Sequence, residues 1–242
     1  MPTTDGKHVN VKALARSASD YFNYKKQFSI VLMALVVANY EFIYVNIGAE
    51  GTACQIENGR LKCLFVFSWN CTGRISDGGV FAGCSFARPM YRDELHLPSP
   101  RPLNLRTTPF VILADNAFPL HKHIMKQYSF KNQTAKERIF NYRLFRGRRS
   151  VENAFGIASA RFRILQRTSE FTSKRASKIV SVVCVLHNFL LSRESCHLYA
   201  PIGTHDSLAG TDGSWRRESG ESILDAEDLN LIETRCSHRP LL

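Results

Sequence analysis

The sequence predicts an α/β fold in which strands come first and helices follow. Ser29 to Val37 is a continuous run of β-favouring residues, and Glu41 to Ile47 alternates between apolar and polar side chains. After Asp115 the pattern changes, because apolar residues then recur at spacings of three and four. The two-residue period is typical of strands, and the longer spacing is typical of amphipathic helices.

A hairpin near the N-terminus is the first predicted unit. Ala38, Asn39 and Tyr40 separate its two strands and are typical of a turn. Lys7 to Ala13 is predicted to form the preceding strand, which would place Asp5 at the leading edge of that strand. Since only four residues precede Asp5, we expect this first strand to be truncated.

A buried strand is predicted at Thr107 to Asp115, and it ends in an acid. Ligand sites of open α/β sheets lie at the carboxyl ends of strands, so Asp115 is well placed for a functional site. Two amphipathic helices are predicted beyond it, and His187 and Asn188 are predicted to be packing residues of the second. The apolar positions are Val151, Ala154, Phe155, Ala158, Phe162 and Leu165 in the first helix, and Ile179, Val182, Val183, Leu186 and Phe189 in the second.

The pattern divides the chain into one domain and a tail. Residues 1–193 carry the strand and helix periodicity, whereas residues 194–242 are predicted to form a peripheral or partly disordered acidic tail. Residues 52–72 are rich in cysteine and aromatic side chains and are predicted to be an insertion. The alternative for this segment is an ordinary loop that contains a short strand at 64–67.

The charge of the chain indicates a polyanionic partner. The net charge is +11, and because residues 204–242 hold 8 acids and 4 bases, residues 1–203 hold 13 acids and 28 bases, a net +15. Nucleic acid is the commonest partner of such a basic domain, and an anionic membrane surface or simple solubility are the alternatives. The longest apolar run, Ile30 to Ala38, is much shorter than the roughly 20 residues of a membrane span. We therefore predict no membrane association.

Three separated acids are candidates for a shared metal site. The predicted order places Asp5 beside the hairpin, Asp115 at a strand end and Glu152 beside the apolar stripe of a helix. Carboxylates are the ligands that Mg²⁺ and Mn²⁺ prefer, and these ions promote in-line phosphoryl displacement. The arginines around Glu152 suit phosphate, because a guanidinium pairs with phosphate through two hydrogen bonds. The alternative is that Glu152 pairs with Arg148 or Arg149 on a solvated helix.

Six blocks of sequence carry a resemblance to a known family. They are, in order, DGKHV, NYKKQFSIVLMALVVANYEFIYVNIG, GRISDGGVF, PFVILADNAFPL, ERIFNYRLFRGRRSVENAFGI and VCVLHNFL. Residues 4–193, without 52–72, resemble the nuclease domain of the PIF/Harbinger transposases and their domesticated relatives, which are DDE-type nucleases. The resemblance implies an RNase H-like fold, in which a mixed sheet is flanked by helices.

The resemblance also implies catalytic residues and a cofactor. Asp5, Asp115 and Glu152 match the three catalytic metal carboxylates, and Asp77 matches a further carboxylate that would be an accessory metal ligand. The alternative for Asp77 is a helix N-cap, and the alternative for Asp5 is a turn residue. The implied cofactor is a divalent metal cation, Mg²⁺ or Mn²⁺. The implied reaction is cleavage of a DNA phosphodiester bond by metal-activated water.

DNA is the partner that the resemblance implies, and a Myb-like DNA-binding protein is a second. Seven cysteines without a C-x-x-C pair predict reduced thiols, which favours the nucleus or the cytoplasm, and the family role favours the nucleus. The rival hypothesis is a catalytically inactive remnant or a domesticated module that binds DNA or protein. The residues predicted to contact the DNA backbone are Lys136, Arg138, Arg143, Arg146, Arg148 and Arg149.

Overall fold

The computed structural model describes residues 1–12, 23, 26–47, 53–57, 60–64, 77–95, 97, 99–103, 106–193, 196–201, 203–206 and 211–219. The strands are β1 Thr3–Asn10, β2 Ser29–Val36, β3 Phe42–Ile47, β4 Ala53–Glu57, β5 Arg60–Leu64, β6 Arg101–Leu103, β7 Arg106–Thr108, β8 Ile112–Leu113 and β9 Ile124–Met125. The helices are α1 Asp77–Gly83, α2 Ala87–Tyr91, α3 Ala135–Arg161, α4 Ser173–Leu191, α5 Cys196–Tyr199 and α6 Ser214–Ser219, with a 3₁₀ turn at Arg163–Leu165. No helix among these residues is long and apolar enough to cross a membrane.

Five strands form the central sheet, in the order β3-β2-β1-β8-β9. Strand β2 runs antiparallel to β1 and β3, whereas β1, β8 and β9 run parallel to one another. The predicted α/β fold, an RNase H-like mixed sheet flanked by helices, is thereby confirmed. The predicted turn at 38–40 is confirmed as well, and Tyr40 in it adopts a positive φ of 68°.

Helices cover both faces of this sheet, so β2 contributes to two hydrophobic cores. One core joins alternate residues of β2 to α3 and α4, and the other joins the intervening residues to α1 and α2. A strand that is buried on both faces has no polar side, which explains the continuous apolar run in its sequence. The two sets are Ile30, Leu32, Ala34 and Val36 in the first core, and Val31, Met33 and Leu35 in the second.

Strand β1 begins earlier than the sequence pattern predicted. The predicted strand started at Lys7, whereas the observed strand starts at Thr3 and pairs with β2 along all of its eight residues. Thr4 is buried, and its hydroxyl donates a hydrogen bond of 3.0 Å to the Ala34 carbonyl. These polar residues carry no apolar period, and they join the sheet through backbone pairing with β2. Asp5 consequently lies inside a strand and not at its leading edge.

The strand predicted at 107–115 is split into two. Residues 106–108 form β7, which pairs with β6, and residues 112–113 form β8 in the central sheet. Pro109 lies between them, and proline has no N–H group to donate to a strand ladder. Asp115 still follows a buried strand of the central sheet, as predicted.

Helix α3 is longer than its apolar pattern predicted, because it begins at a capping box. The Thr134 hydroxyl accepts the Glu137 N–H at 3.3 Å, and the Glu137 carboxylate accepts the Thr134 N–H at 2.7 Å. The helix then continues for 27 residues. One rigid element therefore carries both Glu152 and the predicted DNA-contacting basic residues.

His187 and Asn188 are packing residues, as predicted. His187 is fully buried on α4; its Nε2 donates to the Tyr40 carbonyl at 2.9 Å, and its Nδ1 accepts from the Tyr199 hydroxyl at 2.7 Å. Asn188 accepts the N–H of Phe42 and donates to the carbonyl of the same residue. Burial lowers the pKa of His187 to about 4, so the imidazole stays neutral in the folded protein.

The segment 52–72 contains the hairpin of β4 and β5. The remainder of the segment, including most of the short strand suggested at 64–67, lies outside the described residues. That this segment is an insertion stays a prediction.

Candidate active site

Two of the predicted carboxylates lie on, or directly after, neighbouring parallel strands. Thr3 of β1 pairs with Leu113 of β8, and Asp5 and Asp115 each come two residues after the paired residue of their own strand. Because side chains alternate along a strand and neighbouring strands are about 4.8 Å apart, this register favours carboxylates side by side. Asp115 is held at the strand end by the Ala117 N–H, which donates to its Oδ1 at 2.8 Å.

The third carboxylate, Glu152, comes from α3. Val151 beside it is fully buried in the core, and this packing sets the rotation of the helix. Close approach of α3 to the sheet depends on Gly147, where an added Cβ would lie 2.6 Å from a methyl group of Leu113. The helix therefore crosses the end of β8 about one turn before Glu152, which brings this residue toward the two aspartates.

Electrostatics indicate that the three carboxylates lie near one another. Burial raises the pKa of Asp5 to about 6; the Arg148 guanidinium and the Gly6 N–H lower it, and the negative charges of Asp115 and Glu152 raise it. Like charges have such an effect only when they are close in space. Three acids that are far apart in the sequence thus lie close enough for the charges of Asp115 and Glu152 to act on Asp5.

Two arginines neutralise part of this negative charge. An Nη of Arg148 donates to Asp5 Oδ2 at 3.0 Å, and an Nη of Arg216 donates to Glu152 Oε2 at 2.9 Å. The alternative for Glu152 was a pair with Arg148 or Arg149 on its own helix, and the partner is instead Arg216 from the C-terminal tail. Each of these bonds engages one carboxylate oxygen of its acid.

The three acids have the chemistry of an Mg²⁺ or Mn²⁺ site. Their carboxylate oxygens are the hard, negatively charged ligands that these ions prefer, and a bound cation would reduce the repulsion between the three carboxylates. Asp5, Asp115 and Glu152 are the residues that would hold the ion. Among the residues that the structure describes, no group of three His, Cys, Asp or Glu side chains stands in a metal-binding arrangement.

Asp77 is the first residue of α1, and the structure describes its backbone but not its side chain. The next residue, Gly78, abuts the loop after Asp115, since an added Cβ at Gly78 would lie 2.0 Å from the Ala117 carbonyl oxygen. The start of α1 is therefore close to the loop that holds Asp115. Whether Asp77 is an accessory metal ligand or a helix N-cap stays open.

The basic residues predicted to contact DNA fall into three groups. Lys136, Arg138 and Arg143 are exposed on α3, and Arg146 and Arg149 are partly buried. A cleft of about 460 Å³ along α3 is lined by Arg143, Arg146 and Arg149, together with Ser150, Asn153 and Asp206. Arg148 stands apart, because it is only 8% exposed and its guanidinium points to Asp5.

Part of the predicted peripheral tail packs against α3 at the site. Trp215 is 5% exposed, and its Nε1 donates to Asn153 Oδ1 at 3.1 Å. The backbone N–H of Asp206 donates to the same Asn153 oxygen at 2.9 Å. Sequence analysis missed this contact, although a tryptophan in an otherwise Gly/Ser-rich stretch was a signal, because so large an apolar side chain is stabilised by burial.

The opposite pKa shifts of Asp5 and His187 predict a specific pH dependence of stability. The folded-state pKa of His187 is below its unfolded value, so its contribution to stability is lost as the pH falls from about 6.5 toward about 4. The folded-state pKa of Asp5 is above its unfolded value, so its contribution grows as the pH falls through about 6. The two contributions partly cancel in the wild type.

The Asp5→Asn variant removes this compensation. Between about pH 7 and about pH 5 its free energy of unfolding is expected to fall by about 2 kcal/mol, against less than about 1 kcal/mol for the wild type. Urea unfolding at a series of pH values measures both slopes, and only the slopes are compared because the substitution also removes the bond to Arg148. Equal slopes would contradict the raised pKa of Asp5.

Comparison with known proteins identifies the family. A search of the curated proteins and a search of the solved structures each found no match. Residues 56–188, more than half of the chain, match the family model described as DDE superfamily endonuclease. The matched region contains Asp77, Asp115 and Glu152, and Asp5 precedes it. On this match, with which the RNase H-like mixed sheet agrees, the chain belongs to the DDE superfamily endonucleases.

Proposed function

We propose that this protein is a divalent-metal-dependent DNA endonuclease of the PIF/Harbinger type. The observation that carries the proposal is the strand register that brings Asp5 and Asp115 to neighbouring positions of β1 and β8, with the charge of Glu152 also acting on Asp5. Among the described residues, two arginines pair with these three carboxylates, and an unneutralised acid in such a group is costly unless it serves a ligand. A divalent cation is the ligand that this set of oxygens fits best.

The residues of the site have distinct parts in the proposed reaction. Asp5, Asp115 and Glu152 hold the cation, with Asp115 oriented by the Ala117 N–H and Asp5 by Arg148. When bound, the cation supplies Lewis-acid activation of the attacking water and neutralises charge on the phosphodiester. The chain itself needs no nucleophile for this chemistry.

The arginine-lined cleft along α3 is proposed to bind the DNA backbone. Arg143, Arg146 and Arg149 present planar guanidinium groups, which pair with phosphate through two hydrogen bonds. Arg146 and Arg149 also stack on the rings of Tyr142 and Phe145, which limits their rotamers. Contacts of this kind position DNA without reading its sequence.

The PIF/Harbinger type, the location and the protein partner are proposed from the sequence resemblance alone. The six matching blocks support the PIF/Harbinger type, a nuclear location and a Myb-like partner that recognises the DNA sequence. The family match supports the coarser part of the assignment, an endonuclease domain that acts on DNA.

A catalytically inactive DNA-binding module is the second candidate function. The observation that favours it is the pairing of Asp5 with Arg148 and of Glu152 with Arg216, because these bonds already satisfy two of the three acids. Such a module would keep the basic cleft and gain nothing from Mg²⁺ or Mn²⁺.

Nicking of supercoiled plasmid separates the two candidates. The purified protein is expected to nick plasmid with Mn²⁺ present, to stop when a chelator is added, and to lose activity as salt rises from low to moderate concentration. The salt effect follows from release of counterions when the cleft binds phosphates. Binding to DNA without nicking at any metal concentration would favour the inactive module.

A further inference from the structure

The guanidinium of Arg216 is fixed by a buried acid. Its Nε donates to Asp206 Oδ1 at 3.0 Å and to Oδ2 at 3.1 Å, and an Nη makes a further bond of 2.5 Å to Oδ2. The Asp206 side chain is fully buried and also accepts the Gly213 N–H at 2.8 Å. A guanidinium held by several bonds to a buried carboxylate has little freedom to move.

The segment that carries Arg216 is itself anchored on α3 beside Glu152. Asn153, the next residue after Glu152, exchanges hydrogen bonds with the backbone of Asp206. One turn later, the Trp215 ring packs so closely on Gly156 that an added Cβ would lie 2.2 Å from the ring. These contacts fix the segment at the position from which Arg216 reaches Glu152.

The guanidinium of Arg216 bonds to both acids, and the bonds to Asp206 are the more numerous of those described. One Nη donates to Glu152 Oε2, whereas Nε and an Nη together make three bonds to Asp206. Glu152 is the more exposed partner, with 24% of its side chain accessible against 13% for Arg216. The arginine is therefore the fixed member of the pair, and the glutamate is the member that is oriented.

We propose that Arg216 is a positioning residue of the metal site: its hydrogen bond to Glu152 Oε2 orients the carboxylate that would bind the cation. This inference rests on the proposed function. Ligating carboxylates are commonly oriented by hydrogen bonds from outside the ligand set, and loss of such a partner weakens metal affinity by roughly tenfold to a hundredfold. Residues 203–206 and 211–219 of the C-terminal segment thereby become part of the site.

Mn²⁺ titration by calorimetry tests this proposal. Arg216→Gln alone would leave the Asp206 charge buried without a partner, which is strongly destabilising. The test protein is therefore the double variant Asp206→Asn with Arg216→Gln, in which both charges are removed. Arg163→Gln is the matched control, because Arg163 is exposed and lies beyond the end of α3.

The double variant is expected to bind Mn²⁺ roughly tenfold to a hundredfold more weakly than the wild type, and Arg163→Gln to bind it equally well. Equal affinity of double variant and wild type, with a lowered unfolding temperature, would overturn the proposal and leave Arg216 as a structural anchor. Tighter binding by the double variant would also overturn it, because Arg216 would then compete with the cation.

Arg216→Lys adds a readout that a purely structural role would not produce. Lysine keeps a charge for Asp206 but lacks the fork that spans two acids. Thermal stability is therefore expected to return closer to the wild-type value than Mn²⁺ affinity does. Equal recovery of thermal stability and Mn²⁺ affinity in Arg216→Lys would contradict the positioning role. Absence of Mn²⁺ binding by the wild type would instead reject the proposed function, and this inference with it.

Discussion

Replacement of Glu152 by glutamine is expected to abolish metal-dependent nicking while the fold and DNA binding persist. The amide has the same shape and still accepts a hydrogen bond from Arg216, so the packing of α3 is retained. What it lacks is the negative charge of a hard oxygen ligand. The nicking rate is expected to fall at least about a hundredfold, because changes outside the ligand set already cost about 10–100-fold.

Two further measurements make this result interpretable. Glu170→Gln is the control, since Glu170 is exposed and lies outside the site; it should nick like the wild type. A DNA-binding assay without metal should give equal affinities for all three proteins. Nicking by Glu152→Gln at the wild-type rate would place the metal site elsewhere. Wild type and variant that both bind DNA and are equally inert would establish the inactive binding module.

The Gly156→Ala substitution is expected to release the C-terminal segment from α3. The added Cβ would lie 2.2–2.6 Å from three atoms of the Trp215 ring, and the rigid helix backbone cannot yield. Loss of the burial of a tryptophan costs about 3–5 kcal/mol, which exceeds the gain in helix propensity of up to about 1 kcal/mol. The free energy of unfolding should therefore fall by about 2–4 kcal/mol.

Tryptophan fluorescence reports this release directly. The chain has two tryptophans, Trp69 and Trp215, so a Trp69→Phe background isolates the emission of Trp215. Its emission maximum is expected to shift to longer wavelength in Gly156→Ala, because the ring enters water. Gly83→Ala is the matched control, since nothing lies within 4 Å of a Cβ added there. An unshifted emission in Gly156→Ala would show that the ring does not pack on this glycine.

Much of the architecture could be predicted because it depends on local patterns. The apolar run of β2, the turn at 38–40 and the presence of the helices α3 and α4 agree with the predictions. The predicted apolar face of α4 is wrong in part, because Val182, Leu186 and Phe189 are exposed. The buried face of this helix holds Val180, Val183, Cys184 and His187. Two predicted strand boundaries were wrong. Pro109 separates β7 from β8 where one strand was predicted, and β1 begins at Thr3 although Thr3 and Thr4 are polar. The acids of the site were found in the sequence through residue type and resemblance.

Only the tertiary structure decided which charges meet. Asp5 and Arg148 are 143 residues apart, and Glu152 and Arg216 are 64 residues apart, so no period in the sequence relates them. Arg148 looks like its exposed neighbours in the sequence, but the packing of α3 on β1 buries it and turns it toward Asp5. Periodicity predicts the type of an element and its apolar positions, whereas the partner of a charge depends on how two elements pack. The sequence by itself therefore determined the sheet, the helices and the candidate acids, and the packing of α3 and the C-terminal segment determined what surrounds those acids.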